Sequence, residues 1–155
     1  TLAANQGNYE LSINYYDSAL KIVDSTDYRS IGNILFRKSY TYRRSGDFQA
    51  GLTHLFAARD NYILADFNEG LVKSNIGMAE LYREQHRFES AEELLIDALA
   101  VAEQSGLDSE IITIYGSLAV LYETEGNKGA HVYTATTEAY FRTRQPFQSR
   151  SSKAE

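Results

Sequence analysis

Arg37, Tyr40 and Arg44 are the residues of this sequence best suited to chemistry. At helical spacing the two guanidinium groups flank a tyrosine. That set suits a carboxylate or phosphate with an apolar surface beside it. Other reactive residue types are scattered. His54, His86 and His131 stand far apart, with no carboxylate at metal-ligand spacing near them. Glu93 and Asp97 share a helix face, an ordinary pairing on a solvated surface. The chain has no glycine-rich phosphate loop, no GxSxG elbow and no HExxH motif. It has no cysteine, which excludes disulfides, thiolate metal sites and cysteine nucleophiles. Binding is expected, not catalysis, and no metal or cofactor is expected.

The charge balance narrows the partner. Fifteen Lys and Arg stand against 21 Asp and Glu, a net charge of −6. A nucleic-acid binder needs excess positive charge to displace counterions, so no nucleic-acid partner is expected. A hydrophobic content of 43% with 23% charged residues is that of a folded chain. No apolar run approaches a membrane span and no signal peptide is visible, so no direct membrane insertion is expected. The chain enters directly into a degraded repeat and reads as a piece of a longer protein. Its compartment stays open: the cytoplasm is favoured, with the periplasm the alternative if a leader precedes it.

These residues sit on a regular frame. The apolar residues follow a helical rhythm and the only proline is Pro146, as in a nearly all-helical chain. In the stretch 75–99, Tyr82 and Phe88 fill a turn, Ala79 and Ala91 let two helices approach, and Leu95 and Ala98 seal the far end. Turn anchors recur at Gly7-Asn8-Tyr9, Gly46-Asp47-Phe48, His86-Arg87-Phe88 and Gly126-Asn127-Lys128, spaced by 39, 40 and 40 residues. A fixed period of this length is the mark of a repeat array. Residues 1–6 read as the end of a preceding helix, and 8–24 as its partner. Further helices are expected over 28–45, 48–64, 68–85, 87–105 and 109–125, with a degraded one over 130–143. Oxygens at 25–27, Asp47 and Asp108 are placed to cap helix starts, and Gly46 and Gly126 to end helices.

The anchors resemble the tetratricopeptide repeat (TPR), a helix-turn-helix unit with small and large residues at set positions. The third unit matches through Ala79, Tyr82, Phe88, Ala91, Leu95 and Ala98, and the second through Tyr42, Gly46, Asp47, Phe48, Gly51, Leu55 and Ala58. The fourth matches in its first helix (Leu118, Ala119, Tyr122, Gly126) and the first in its second helix (Gly7, Tyr9, Ala19, Leu20). The period is longer than usual for the family, as in a long-repeat subclass. The family's repeat-end proline and first-helix tryptophan are absent. The resemblance implies an all-α, right-handed superhelical solenoid of antiparallel helix pairs. It divides the chain into a domain over 1–143, with units 1–26, 27–66, 67–106 and 107–143, and a polar tail over 144–155.

The resemblance further implies that one stripe of each first helix lines a concave groove. In the second unit the stripe is Asn33, Arg37, Tyr40 and Arg44, flanked by Phe36 and Arg43. In the third it is Lys73, Gly77, Glu80 and Glu84, and in the fourth Thr113, Ser117, Val120 and Thr124. Glycine within a helix costs about 1 kcal/mol relative to alanine. Gly77 and Gly116 therefore imply a need for room, for a ligand backbone or for a neighbouring helix. Arg37 and Arg44 either meet a ligand or pair with Glu80 and Glu84 on the adjacent helix, about 10 Å away. Some TPR domains clamp a chaperone's C-terminal carboxylate with Lys, Asn and Arg. Here those positions carry Phe36, Tyr40, Gly77, Thr113 and Ser117, which does not fit such a role.

The sequence thus points to a non-enzymatic module that binds a protein or peptide in its groove, the sensing or scaffolding part of a larger signalling or regulatory protein. The alternative is a structural spacer or homodimerisation module coupled to an effector domain, such as a cyclase, kinase or DNA-binding unit, outside this chain.

Overall fold

A computed structural model describes residues 2–126, with side chains from residue 7 onward. Within them are six helices and no strand: α1 (Leu2–Ile22), α2 (Tyr28–Ser45), α3 (Phe48–Leu64), α4 (Asn68–Glu84), α5 (Phe88–Ser105) and α6 (Asp108–Glu125). The degraded helix expected over 130–143, His131 and the polar tail lie outside the described residues.

The turns explain why the helices stop where they do. The four turns from α2 to α6 each close with a backbone bond reaching five residues back, from Asp47 to Tyr42, Phe67 to Tyr62, Arg87 to Tyr82 and Leu107 to Ala102, all at 2.9 Å. Such a bond satisfies a carbonyl that the helix end leaves open, and it needs a left-handed residue in the turn. Gly46 supplies it at φ 88°, and Gly106 and Gly126 at 66° and 77°. Asp66 and His86 adopt the same region at φ 49° and 58°, despite their side chains. The helical period is therefore 20 residues, half the spacing read from the sequence anchors. Tyrosine at 42, 62, 82 and 122 marks it.

Caps follow two patterns. The Asp27 and Asp47 carboxylates accept from the N–H groups of Ser30 and Ala50, each at 3.0 Å. The starts of α4, α5 and α6 have no side-chain cap. Leu107 holds the cap position of α6, and Asp108, expected there, is the first helical residue. It contributes instead as an acid in the first turn, where the helix dipole favours negative charge. The turn expected at Gly7 is also absent. Gly7 keeps a helical backbone, an added Cβ would meet nothing within 4 Å, and α1 runs straight through it.

α2 packs on α3 and α4 on α5 as antiparallel hairpins, and α3·α4 and α5·α6 contacts stack them. α2 also touches α4 and α4 touches α6, whereas α1, α3 and α5 make no such contacts with one another. The α2–α4–α6 layer is therefore the tighter one, as the inner side of a curved stack must be. The core forms two clusters that meet at the half-buried Tyr82 and Leu94. Val72, Ile114 and Leu118 are fully buried with Ala91, Ala98 and Ala102, and a second cluster joins Leu52 and Leu55 to Met78 and Leu81. Burying each large side chain contributes about 1.5–3 kcal/mol. The small residues contribute by letting the helices close.

Candidate functional site: a cationic cleft beside an apolar one

Helix spacing brings α1, α2 and α4 around a cleft of about 850 Å³. Asn33, Phe36, Arg37, Tyr40 and Arg44 line it from α2, Lys73 from α4, and Tyr9 and Tyr16 from α1. Six of the ten residues expected in the groove thus share one cleft. Its charge is lopsided. Arg29, Arg37, Arg44 and Lys73 face one carboxylate, Glu69, in a chain whose net charge is −6. Tyr40 is 55% exposed, and Arg37 and Arg44 are exposed with no ion-pair partner among the described residues.

The pairing considered for Arg37 and Arg44 is made by a different residue. Arg43 donates from Nε and Nη2 to Glu84 Oε1, at 3.2 and 2.6 Å, and from Nη1 to Glu80. Partial burial works against the Arg43 charge, but the Glu84 hydrogen bond and the Glu80 and Glu84 charges outweigh it. They hold the guanidinium above its usual pKa. Arg43 therefore engages both glutamates and leaves its neighbours in the sequence free of them. Lys73 is only partly available, since it pairs with Glu69 and lies 3.7 Å from Glu110.

A tyrosine forms the cleft floor. Tyr62, 3% exposed, lies in a notch between Gly32 and Gly70, where an added Cβ would come within 2.7 and 2.6 Å of its ring. Its hydroxyl donates to Asn33 Oδ1 at 2.9 Å, so Asn33 is engaged from below. Burial pushes the Tyr62 phenol up to about 12, against the opposing pull of Arg37 and Arg29. Phe67 meets the Tyr62 ring edge-on at 5.6 Å, and the Arg29 guanidinium lies 3.9 Å above Phe67. Sequence reasoning missed Tyr62, Phe67 and Arg29. The 20-residue tyrosine period was the signal that could have singled out Tyr62.

A second cleft of about 240 Å³ shares Phe36, Tyr40 and Lys73 with the first and continues to Leu55, Ile76, Gly77 and Thr113. Gly77 is explained by a neighbouring helix. An added Cβ would sit 3.2 Å from Leu55 Cδ2, so its smoothness admits α3. Gly116 faces open space, with nothing within 4 Å. Ser117 lies further on, in a shallow depression with Glu80 and Thr113, and its hydroxyl is spent on the Thr113 carbonyl at 3.0 Å. Glu84 belongs to the Arg43 network. Among the described residues no group of His, Asp or Glu could hold a metal ion, and no helix is long and apolar enough to cross a membrane.

Residues 71–130 match the family model described as tetratricopeptide repeat. Residues 71–130 carry tetratricopeptide repeats. Among solved structures, the TPR stack is similar to the Rap conjugation gene regulator of the plasmid pLS20 in complex with the Phr* peptide. The TM-score is 0.72 and the identity 20%, over 86% of this chain and 38% of that one. At that identity the likeness is one of fold, and this chain spans well under half the regulator's length. Comparison with curated proteins gives no match. In the TPR frame α2, α4 and α6 are the first helices of their units, and they furnish most of the walls of the clefts.

Proposed function

We propose that this chain is a non-catalytic module that holds a protein or peptide segment in the groove along α2, α4 and α6, anchoring an acidic group between Arg37 and Arg44. The observation that carries this reading is the cationic, tyrosine-lined cleft in an acidic chain, whose two arginines are released because Arg43 alone takes Glu80 and Glu84. A charge-assisted, bidentate grip on carboxylate or phosphate is what such guanidinium groups do best. The fold neighbour described above was solved with a peptide, in keeping with a peptide partner here. The net charge of −6 speaks against nucleic acid. The module fits the sensing or scaffolding part of a larger signalling or regulatory protein, its boundaries following the units expected from the repeat.

A capture experiment from source-cell lysate tests this, with the wild-type chain beside Arg37→Glu/Arg44→Glu and helicity checked on both. A partner held by the wild type and lost by the charge reversal is the expected result. Equal capture by both proteins refutes the Arg37–Arg44 anchor. One observation favours the spacer or dimer reading: Leu11, Tyr15 and Ile22 leave an apolar stripe on α1 that is 53%, 68% and 86% exposed. Mass measured against concentration, unaffected by the charge reversal, would point to that reading.

A further inference from the structure

The two abutting clefts differ in kind. The larger has four cations against one carboxylate. In the smaller, Arg43 and Lys73 are matched by Glu80 and Glu110, so its charges cancel and the surface between them is apolar. Phe36 and Tyr40 form the partition, each facing both clefts. Leu55 and Ile76 form the far wall, Gly77 keeps it flat, and Thr113 stands at the rim on α6. A cavity of about 150 Å³ accepts a benzene-sized molecule. The 240 Å³ here has room for one large aliphatic or aromatic side chain.

From this juxtaposition we infer that the ligand is a peptide segment carrying a large apolar side chain close to its acidic group. The apolar side chain enters between Phe36, Tyr40, Leu55 and Ile76 while the acid lies against Arg37 and Arg44. This rests on the groove reading above and adds a second requirement to it. The acid supplies attraction at a distance, and the apolar side chain supplies selection. A hydrophobic pocket discriminates by about ten-fold or more for each methylene it can fill. A partner with an acidic cluster alone would leave the smaller cleft filled with water and bind more weakly. Tyr40, mostly exposed at the partition, contacts both parts of such a ligand.

A random hexapeptide library with free C termini, selected on the wild-type chain, tests this directly. Parallel selections use Thr113→Phe, which fills the smaller cleft from its rim, and Arg37→Glu/Arg44→Glu. The strongest peptide is then resynthesised with its apolar residue replaced by alanine, and affinities are read by fluorescence anisotropy. The wild type is expected to enrich Leu, Ile, Met or Phe near an acidic group, and the alanine replacement to weaken binding at least ten-fold. In Thr113→Phe that apolar preference is lost while the demand for an acid remains. Acidic peptides selected with no apolar preference would overturn this inference and leave the groove reading standing. Selection unchanged by the charge reversal, or no acidic peptide selected at all, would overturn both. Circular dichroism confirms that each variant is folded, and Thr113→Leu serves as a smaller filler should phenylalanine perturb α6.

Discussion

α2 and α4 occupy the same place in successive repeats, yet they use their surfaces in opposite ways. α4 buries eight residues, among them Val72, Met78, Ala79 and Leu81, because it is gripped by α2 and α3 on one side and by α5 and α6 on the other. α2 buries three, and two of these, Lys38 and Ser39, are polar. Lys38 reaches back to Asp17 on α1 at 2.5 Å, so even this buried residue is held by charge. The arginines of α2 then divide. Arg43 ties the helix to α4, and Arg29, Arg37 and Arg44 face the cleft. A repeat frame thus fixes where a helix lies without fixing its task. The helix between two complete pairs supplies stability, and the one flanked on one side by α1 alone is free to carry charge.

The sharpest way to break this contrast is through the core. Leu81→Ala should cost about 2–5 kcal/mol, the range for emptying a fully buried leucine site, read as a lower urea midpoint. Gly70→Ala should come next at about 1–3 kcal/mol, since its Cβ would meet both the Tyr62 and the Phe67 rings and the buried Tyr62 ring cannot move without overpacking. Tyr62→Phe removes the bond to Asn33, at about 0.5–1.5 kcal/mol. It also carries a pH signature. The folded phenol is raised from 10.0 to about 12, so the native state holds this proton after the unfolded chain has lost it. The stability it contributes is fully present below pH 10 and is lost as pH rises through about 12. Urea midpoints at pH 9 and 11.5 should fall more in the wild type than in Tyr62→Phe.

Smaller effects sharpen the comparison from the other side. His86→Gly should stabilise by about 1 kcal/mol, because a side chain in the left-handed region is strained and glycine is not. A midpoint that does not rise would mean that the edge-on contact of His86 with Phe88 at 5.8 Å offsets the strain. Arg37→Glu/Arg44→Glu should change stability by about 1 kcal/mol or less, since both side chains are exposed and unpaired among the described residues and only Arg44, in the last turn, meets the helix dipole. Peptide binding should nevertheless be lost. A large stability change there would mean that α2 is held by its arginines after all, and the division of labour with α4 would fail.

Much of the fold was legible because it follows from local chemistry. The Gly46-Asp47 pair at once predicts a left-handed helix end and a capped helix start, and both are present. The 40-residue spacing of the anchors was legible too, whereas Asp66 and His86 take the left-handed turn position without glycine. At Gly7-Asn8-Tyr9 a similar anchor carries no turn, and α1 runs through it. The candidate site was legible as a face, in that Asn33, Phe36, Arg37, Tyr40 and Arg44 line one cleft. Which arginine meets Glu80 and Glu84 was not. Successive helical residues point about 100° apart, so Arg43 and Arg44 face different surroundings, and only the rotation of α4 against α2 selects between them.

What the sequence determined by itself is the helical repeat, because periodicity, caps and turn residues act over a few neighbouring positions. Tertiary structure alone decided the seat of Tyr62 between Gly32 and Gly70, the release of Arg37 and Arg44, and the apolar cleft beside the cationic one. Each depends on side chains brought together from separate helices, where a shift of a single van der Waals radius changes which contacts exist.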